Sequence, residues 1–454
     1  MRDRLLWLGC LADALLLTWL GWIKFAAHRN LVDFGIFAQT VASAFGCFCN
    51  PIEGSHWGFH FSPILYPVAG AVALVPSPLT LVALQAVAGA LVAPPLYAIV
   101  RARHGIPVAR LTALVALLYP PLAGLIFGDF HENGFAPAAV AWTLYAFDAG
   151  LLGWAFAGAI VTLSIKEDQA LFLAIGGLLG AWRFRGTPRG RTAAAIAALG
   201  VLVFVAFFAY IRPHAAAGSA LGWQPWRFYA WSPSEAHGLL ETILARVGFL
   251  LLIFVPLLFV PFRSSTIALA AAPLAEVLFS RMPTTFTLGT HYAGAWIGYV
   301  LVAFAAGIRG LEPRRARVVL VACVALSVVE FAVADPLHPG LNLHRAQPRD
   351  AALDRFLSTL PRNADVATQE EAYTHLALAD PYARLLPERP EEPTDACLLL
   401  VDSEFPNSAR LQEYGGALSR AAREGRDVLV RKSDGIELYK ASCASASSTR
   451  TGQP

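Results

Sequence analysis

Charge is scarce in this chain. Asp, Glu, Lys and Arg make up 15% of its 454 residues, against about 25% in an ordinary soluble domain. Hydrophobic residues reach 56% and the mean hydropathy is +0.53. A soluble fold of this size could not hide so much apolar surface behind so few charges, and the same figures exclude a disordered chain, collagen and a coiled coil. A net charge of +3 is too small to point to nucleic acid. Six cysteines do not form a disulfide framework. A bridge between Cys47 and Cys49 would be strained, and Cys397 could pair with Cys443. The chain has no Walker loop, HExxH, GxSxG or CxxC, so an ATPase, a zincin or a serine hydrolase has no support. No cleavable signal peptide is expected either. Leu5–Ile23 is too long for the apolar core of one and lacks a small-residue cleavage site, so it reads as a retained first span.

What the sequence does have is a series of apolar runs. A bilayer core of about 30 Å takes roughly 20 residues per helix, with shorter runs possible inside a bundle. Spans are expected near 5–23, 79–100, 107–127, 135–148, 151–165, 169–182, 192–211, 242–262, 265–280, 292–308 and 317–334, about eleven in all. Phe61–Val75 contains Pro63 and Pro67 and is bounded by Pro76 and Pro78. It reads as a short re-entrant or interfacial helix, which is tolerated at membrane depth only when buried in protein.

Basic residues set the sidedness. Arg2 and Arg4, then Arg101, Arg103 and Arg110, then Arg183, Arg185, Arg189 and Arg191, and last Arg309, Arg314, Arg315 and Arg317 all fall on one side if Phe61–Val75 does not cross. The N-terminus is then cytoplasmic and everything after about residue 335 lies outside. The segments 24–60, 128–134, 166–168, 212–241 and 281–291 share that outer side. Residues 1–335 thus form a membrane domain. Residues 340–440 are rich in Arg, Asp, Glu and Pro and read as a small extracytoplasmic α/β domain. Its expected strands are Asp365–Thr368, Ala396–Val401, and a hairpin of Asp427–Arg431 with Ile436–Lys440. Its expected helices are Gln369–Leu378 and Ser408–Glu424. Residues 441–454 read as a disordered tail.

The outer segments hold the residues that can carry chemistry. Asp33, ten residues after the first span, can bind a metal or take a proton, or it can cap a helix starting at Phe34. His60, before the Pro-broken helix, can meet phosphate or a metal, or be an interfacial histidine. Asp129, His131 and Glu132 form a dense polar turn suited to Mg²⁺ or Mn²⁺, or simply a solvated one. Lys166, Glu167 and Asp168 interrupt two apolar runs. Charges at that depth usually have partners, and Lys166 could hold a lipid-linked phosphate. Arg212, His214, Trp223, Trp226, Arg227, Tyr229 and Trp231 look like an interfacial belt that could also stack on sugars. Arg281, His291 and Tyr292 could face the same cavity.

These segments together resemble a bacterial and archaeal family of predicted membrane proteins, domain of unknown function 2079. The resemblance runs from Asp33-Phe-Gly-Ile-Phe-Ala-Gln through His60-Phe-Ser-Pro, Pro-Ser-Pro-Leu-Thr-Leu with Gln85, Asp129-Phe-His131-Glu132, Lys166-Glu167-Asp168 and His291-Tyr292 to Asp365-Val-Ala-Thr-Gln and Val401-Asp402. It covers roughly residues 30 to 402 and is specific in order and spacing. Where the family usually reads Asp-Leu-Gly this chain has Asp33-Phe34-Gly35, and a loop with Cys47 and Cys49 precedes His60. The family is similar to the GT-C superfamily of integral-membrane glycosyltransferases. The resemblance therefore implies a multi-pass GT-C-like domain, an outward-facing site, a polyprenyl-phosphate sugar donor and a catalytic acid in the first outer loop, where Asp33 sits. The His60-Phe-Ser-Pro segment resembles the His-Pro-Pro segment of related transferases, with Ser62 replacing one proline. The expected activity is hexosyl or pentosyl transfer to an unidentified acceptor in the cell envelope. Lys166, Arg281 or a divalent cation would meet the leaving phosphate. Two other classes compete: a transporter or lipid flippase, and a non-catalytic envelope-assembly protein.

Overall fold

The computed structural model describes residues 2–216, 225–229, 242–337, 346–361, 363–390, 392, 394–403 and 409–441. The chain is mainly helical, and every one of the eleven expected runs carries helix. The first helices are α1 (Arg4–Ala26), α2 (Val32–Ala42), α3 (Leu65–Leu74), α4 (Pro78–Ala90), α5 (Ala93–Leu117), α6 (Pro120–Phe127), α7 (Ala136–Asp148), α8 (Leu152–Leu163), α9 (Glu167–Arg183) and α10 (Pro188–Ala206). Among the described residues, four helical stretches are long and apolar enough to cross a membrane, by length and composition: Arg4–Ala26, Pro78–Leu117, Pro188–Ala215 and Pro313–Val333.

Proline, glycine and left-handed turns explain why some runs are broken. The expected span 79–100 is α4 followed by the first half of α5, which starts at Ala93-Pro-Pro. Inside α5, Gly105 takes φ 73°, a value that glycine adopts without steric cost. Tyr97 Oη donates to Asp3 Oδ2 at 2.8 Å and Arg110 Nε donates to the same oxygen at 2.9 Å. Thirteen residues of continuous helix would hold those two side chains about 20 Å apart, so the chain turns back at Gly105. The next run breaks again at Pro120-Pro121, the start of α6. The run 242–262 breaks after Ile243–Phe254, where Leu258 and Phe259 both have positive φ. At ten residues, α3 is about 15 Å long. It is anchored at its start by Ile64 N donating to Ser164 O.

One end of the bundle gathers the basic clusters. Arg309 pairs with the Asp148 carboxylate and Arg189 donates to the Asp148 carbonyl. His104 lies 3.1 Å from Ile308 O, and Arg110 pairs with Asp3.

A second unit stands at the opposite end. Residues 346–441 build a five-stranded sheet from β3 (Val366–Thr368), β4 (Arg384–Leu385), β5 (Leu398–Asp402), β6 (Val428–Ser433) and β7 (Ile436–Lys440), in the order β4-β3-β5-β7-β6. Strand β3 is parallel to both neighbours, and β7 is antiparallel to both of its own. Asp434 and Gly435 both have positive φ, the two-residue turn that suits strand twist. Three helices accompany the sheet: Pro348–Leu357, Glu370–Leu376 and Ala409–Arg423. The expected tail, 442–454, lies outside the described residues.

This unit shares a hydrophobic core with α2 and α3. Phe34, Phe37, Ala38, Val41, Leu65 and Val68 pack in one cluster with Leu353, Phe356, Tyr373 and Leu400. Gly35 is needed at the contact, because a Cβ there would stand 2.3 Å from the Tyr373 ring. Gln39 donates to Asp380 O at 3.0 Å and to Ala383 O at 2.8 Å, and accepts from Tyr373 Oη at 2.7 Å. Helix α2 is thus held between the bundle and the outer sheet.

One expectation is corrected. Cys47 and Cys49 are disulfide-bonded. Phe48 between them is buried at φ 49° and turns the chain, so the two Cα atoms stand 5.2 Å apart, inside the normal range for a disulfide. They open the small hairpin of β1 (Cys49–Asn50) and β2 (Gly54–Ser55). Cys397 is also disulfide-bonded, while its expected partner, Cys443, lies outside the described residues.

Candidate active site

The site begins with the N-terminus of α2. A helix start leaves backbone N–H groups without partners. Here Leu31 occupies the cap position and offers no side-chain hydrogen bond. Carboxylates from two distant segments take its place. Asp129 Oδ2 accepts from Leu31 N at 2.8 Å, and Glu370 Oε1 accepts from Val32 N. Asp33 lies inside the helix and does not cap it, so the alternative of a helix starting at Phe34 does not hold. Its carboxylate is left open, with His291 Nδ1 3.6 Å from Oδ2.

Asp129 is fully engaged. Its Oδ1 accepts from Lys24 Nζ at 2.7 Å and Asn30 Nδ2 at 2.8 Å. The Lys24 and Asp129 side chains are each 9% exposed. Gln85 holds the turn that carries Asp129. Its Nε2 donates to Ile126 O at 3.0 Å, and its Oε1 accepts from His131 N at 2.9 Å. Asp129 is therefore a positioning group for α2 and is not open to a metal ion.

From Asp33 a line of polar side chains runs inward. His291 stacks on His131, ring centres 3.9 Å apart, and its ring centre lies 4.1 Å from that of Tyr292, with the planes tilted by 39°. His131 Nδ1 lies 2.8 Å from Glu132 Oε2, and Lys166 Nζ lies 3.7 Å from Glu132 Oε1. Neither contact has hydrogen-bond geometry, and both buried Glu132 oxygens lack a donor. His131 Nδ1 already accepts from Asn133 N at 3.4 Å. Beside this line, His60 Nδ1 pairs with Glu167 Oε1 at 2.9 Å, while Phe61 N donates to Glu167 Oε2 at 3.0 Å. Asp168 follows in the first turn of α9, with one buried oxygen unsatisfied. The turn 128–134, Lys166 at the start of α9 and His291 are thereby brought together with Asp33. Arg281 is exposed, and its backbone N–H donates to Phe228 O at 2.7 Å. Trp223, Trp231 and the Trp226 side chain lie outside the described residues.

The electrostatics follow from this arrangement. The Asp33 side chain keeps 41% of its surface but sits in a recess. Partial burial, followed by the charges of Asp129, Glu53, Glu132 and Glu370, pushes its carboxyl up to about 6. Burial lowers His60, but the Glu167 carboxylate outweighs that and raises it overall. Burial, followed by the charges of Lys166, His60 and His56, holds His131 well below the usual imidazole range, and burial, His131 and Lys166 do the same for His291. Both are therefore neutral near pH 7. Lys166 is raised, because Glu132, Asp168 and Glu167 offset its burial.

Sequence reasoning missed Glu53, His56 and Glu370. Glu53 and His56 pair at 3.2 Å inside the loop before His60, and their i,i+3 spacing beside His60 was the available signal. Glu370 carried none, since nothing local ties it to α2.

The family described as predicted membrane protein (DUF2079) matches residues 28–438. No curated protein matches the sequence. Among solved structures, ArnT from Cupriavidus metallidurans bound to undecaprenyl phosphate aligns with a TM-score of 0.57 and 11% identity, covering 95% of this chain and 98% of that one. The apo state of the same protein gives 0.55 and 12%, covering 95% and 97%. The Archaeoglobus fulgidus oligosaccharyltransferase tethered to an acceptor peptide gives 0.38 and 10%, covering 90% and 68%. The ArnT alignment extends over nearly the whole of both chains and shows that this chain shares the ArnT fold.

The two aspartates at this site respond differently to loss of charge. Asp129→Asn leaves Lys24 buried without a counter-charge, which costs about 3–5 kcal/mol. Asp33→Asn removes no ion pair shorter than 3.6 Å and shifts stability by less than about 0.5 kcal/mol. Thermal unfolding of the two variants in detergent checks this. Equal melting temperatures would show that Asp129 does not hold α2 in place.

Proposed function

Since the chain belongs to the DUF2079 family of predicted membrane proteins, on a GT-C-type fold, we propose that it is an integral-membrane glycosyltransferase. It moves a sugar from a polyprenyl-phosphate donor to an acceptor at the outer face of the membrane. The observation that carries this reading is the open Asp33 carboxylate, relieved of capping and raised to about 6, at the mouth of a recess that holds Lys166.

Sugar transfer needs a base for the acceptor hydroxyl and positive charge for the departing phosphate. Asp33 takes the proton. A group that titrates near 6 is ionised at neutral pH and is a better base than an ordinary aspartate. Lys166, cationic and nearly buried, faces the phosphate. His60, whose proton affinity Glu167 raises, stands beside it. Neutral His291, stacked on His131, stands beside Asp33. A divalent cation would be held at Glu132, whose two buried oxygens accept no hydrogen bond. Bound there, it would neutralise phosphate charge. ArnT has been captured with undecaprenyl phosphate, the kind of lipid phosphate proposed as the carrier here.

The orientation follows from the two ends of the bundle. The basic clusters share one end, which the positive-inside tendency assigns to the cytoplasm. The opposite end carries the Cys47–Cys49 disulfide and disulfide-bonded Cys397, as suits an oxidising compartment. Cys10 and Cys323, within the apolar helices, are free thiols.

Membranes containing the protein, supplied with a panel of radiolabelled polyprenyl-phosphate sugars, provide the test. Wild-type transfer rises with pH through about 6 as Asp33 loses its proton. Asp33→Asn transfers at least about 100-fold more slowly, the lower bound of a general base, and loses that acid limb. Equal turnover in both proteins removes the reading. A reporter fused after Gly435 reads outside the cytoplasm, and a cytoplasmic signal refutes the orientation.

A further inference from the structure

Among the described residues, one group of histidines and carboxylates has its ligand atoms within 4.8 Å of one another: His28, Asp354 and His375. It lies on the joint between the two units, with His28 in the loop between α1 and α2 and the other two on helices of the outer unit. None of the three belongs to the recess around Asp33.

The hydrogen bonds at this joint fix the tautomers. His28 Nδ1 is 3.0 Å from Glu371 O, and His375 Nε2 is 2.9 Å from Phe25 O. A carbonyl only accepts, so both of these nitrogens carry hydrogen. The remaining nitrogens, His28 Nε2 and His375 Nδ1, face the same oxygen, Asp354 Oδ1, at 3.1 and 3.0 Å. In neutral imidazoles these are lone pairs, so three acceptors converge on one point. Something positive must lie between them, one or two protons or a metal ion.

Two protons would make both rings cationic. The rings are stacked face to face with centres 3.6 Å apart, one carboxylate serves both, and the His28 side chain is wholly buried. A single divalent ion meets all three groups while both rings stay neutral. The outer nitrogens bound to backbone carbonyls give the support that histidine ligands ordinarily have. Tetrahedral zinc holds its ligand atoms about 3.3 Å apart, close to the two distances seen. His28 adopts φ 53°, an uncommon conformation for a non-glycine residue, and so presents its ring at the joint.

We propose that His28, Asp354 and His375 form a zinc site that ties the outer unit to the loop leading into α2. The rings are 11° from parallel, so loading requires them to fan apart until both lone pairs meet the ion. The Asp354 side chain is 50% exposed, which gives the ion a way in and water a fourth position. The proposal does not rest on the transferase reading.

The test uses the full-length protein in detergent, purified without a histidine tag, stripped with chelator and titrated with ZnCl₂. About one zinc binds per chain, and the melting temperature rises with it. Co²⁺ in its place gives the intense visible absorption of a four-coordinate site. His375→Gln and Asp354→Asn, at the accessible side, each weaken zinc binding by more than about 100-fold, beyond what the loss of an outer-shell partner costs. No retained zinc, a weak octahedral cobalt spectrum, or unchanged binding in His375→Gln overturns the proposal. A chain that is stabilised by acid but indifferent to zinc overturns it in favour of a proton-held pair.

Discussion

The geometry of the outer face depends on how the first turn of α2 is capped. Its leading amides are satisfied by Asp129 from the bundle and Glu370 from the outer unit, which leaves Asp33 without a structural duty. Each capping carboxylate needs its own support. Asp129 is neutralised by Lys24 and oriented by the turn that Gln85 clamps. Glu370 is placed by the outer helix whose Tyr373 packs on Gly35. The segments between 24 and 376 that carry these residues therefore converge on a single helix end.

That convergence has an electrostatic consequence. Capping α2 with foreign carboxylates brings negative charge close to Asp33, and burial beneath the outer unit adds to it. The same contacts that place Asp33 thus make it more basic. Deeper in, cationic side chains stand among the carboxylates. Lys166 lies beside Glu132, and His60 pairs with Glu167. One end of the recess suits a proton acceptor, the other an anionic phosphate, with stacked neutral imidazoles between them.

Much of this was legible in the sequence because apolar run length and the basic clusters are strong, local signals. The eleven runs, the short Pro-bounded helix α3 and the Ser433-Asp434-Gly435 hairpin turn all come from patterns within a few residues. The family was legible for a different reason: Asp33, His60, Asp129, Lys166 and His291 keep their order and spacing across some 260 residues. What stayed hidden depends on tertiary contact. Asp129 looked like a metal ligand because Lys24, its partner, sits at the end of an apolar helix 105 residues earlier. Asp33 looked able to cap a helix because the groups that cap α2 lie 98 and 338 residues away from it. The Cys47–Cys49 bridge looked strained because the left-handed turn at Phe48 cannot be read from composition. The joint of His28, Asp354 and His375 left no trace, since His28 is more than 300 residues from the other two.

The central claim is that the recess between Asp33 and Lys166 receives a lipid-linked phosphate from the membrane. The most direct test is a cryo-electron microscopy structure of the full chain in nanodiscs loaded with undecaprenyl phosphate. The account predicts phosphate density within about 3 Å of Lys166 Nζ, the reach of a charge-assisted hydrogen bond, with the lipid tail leaving between the helices and Asp33 on the open side. Phosphate density at the Arg189–Arg309 end of the bundle, with the Asp33 recess empty, would contradict it.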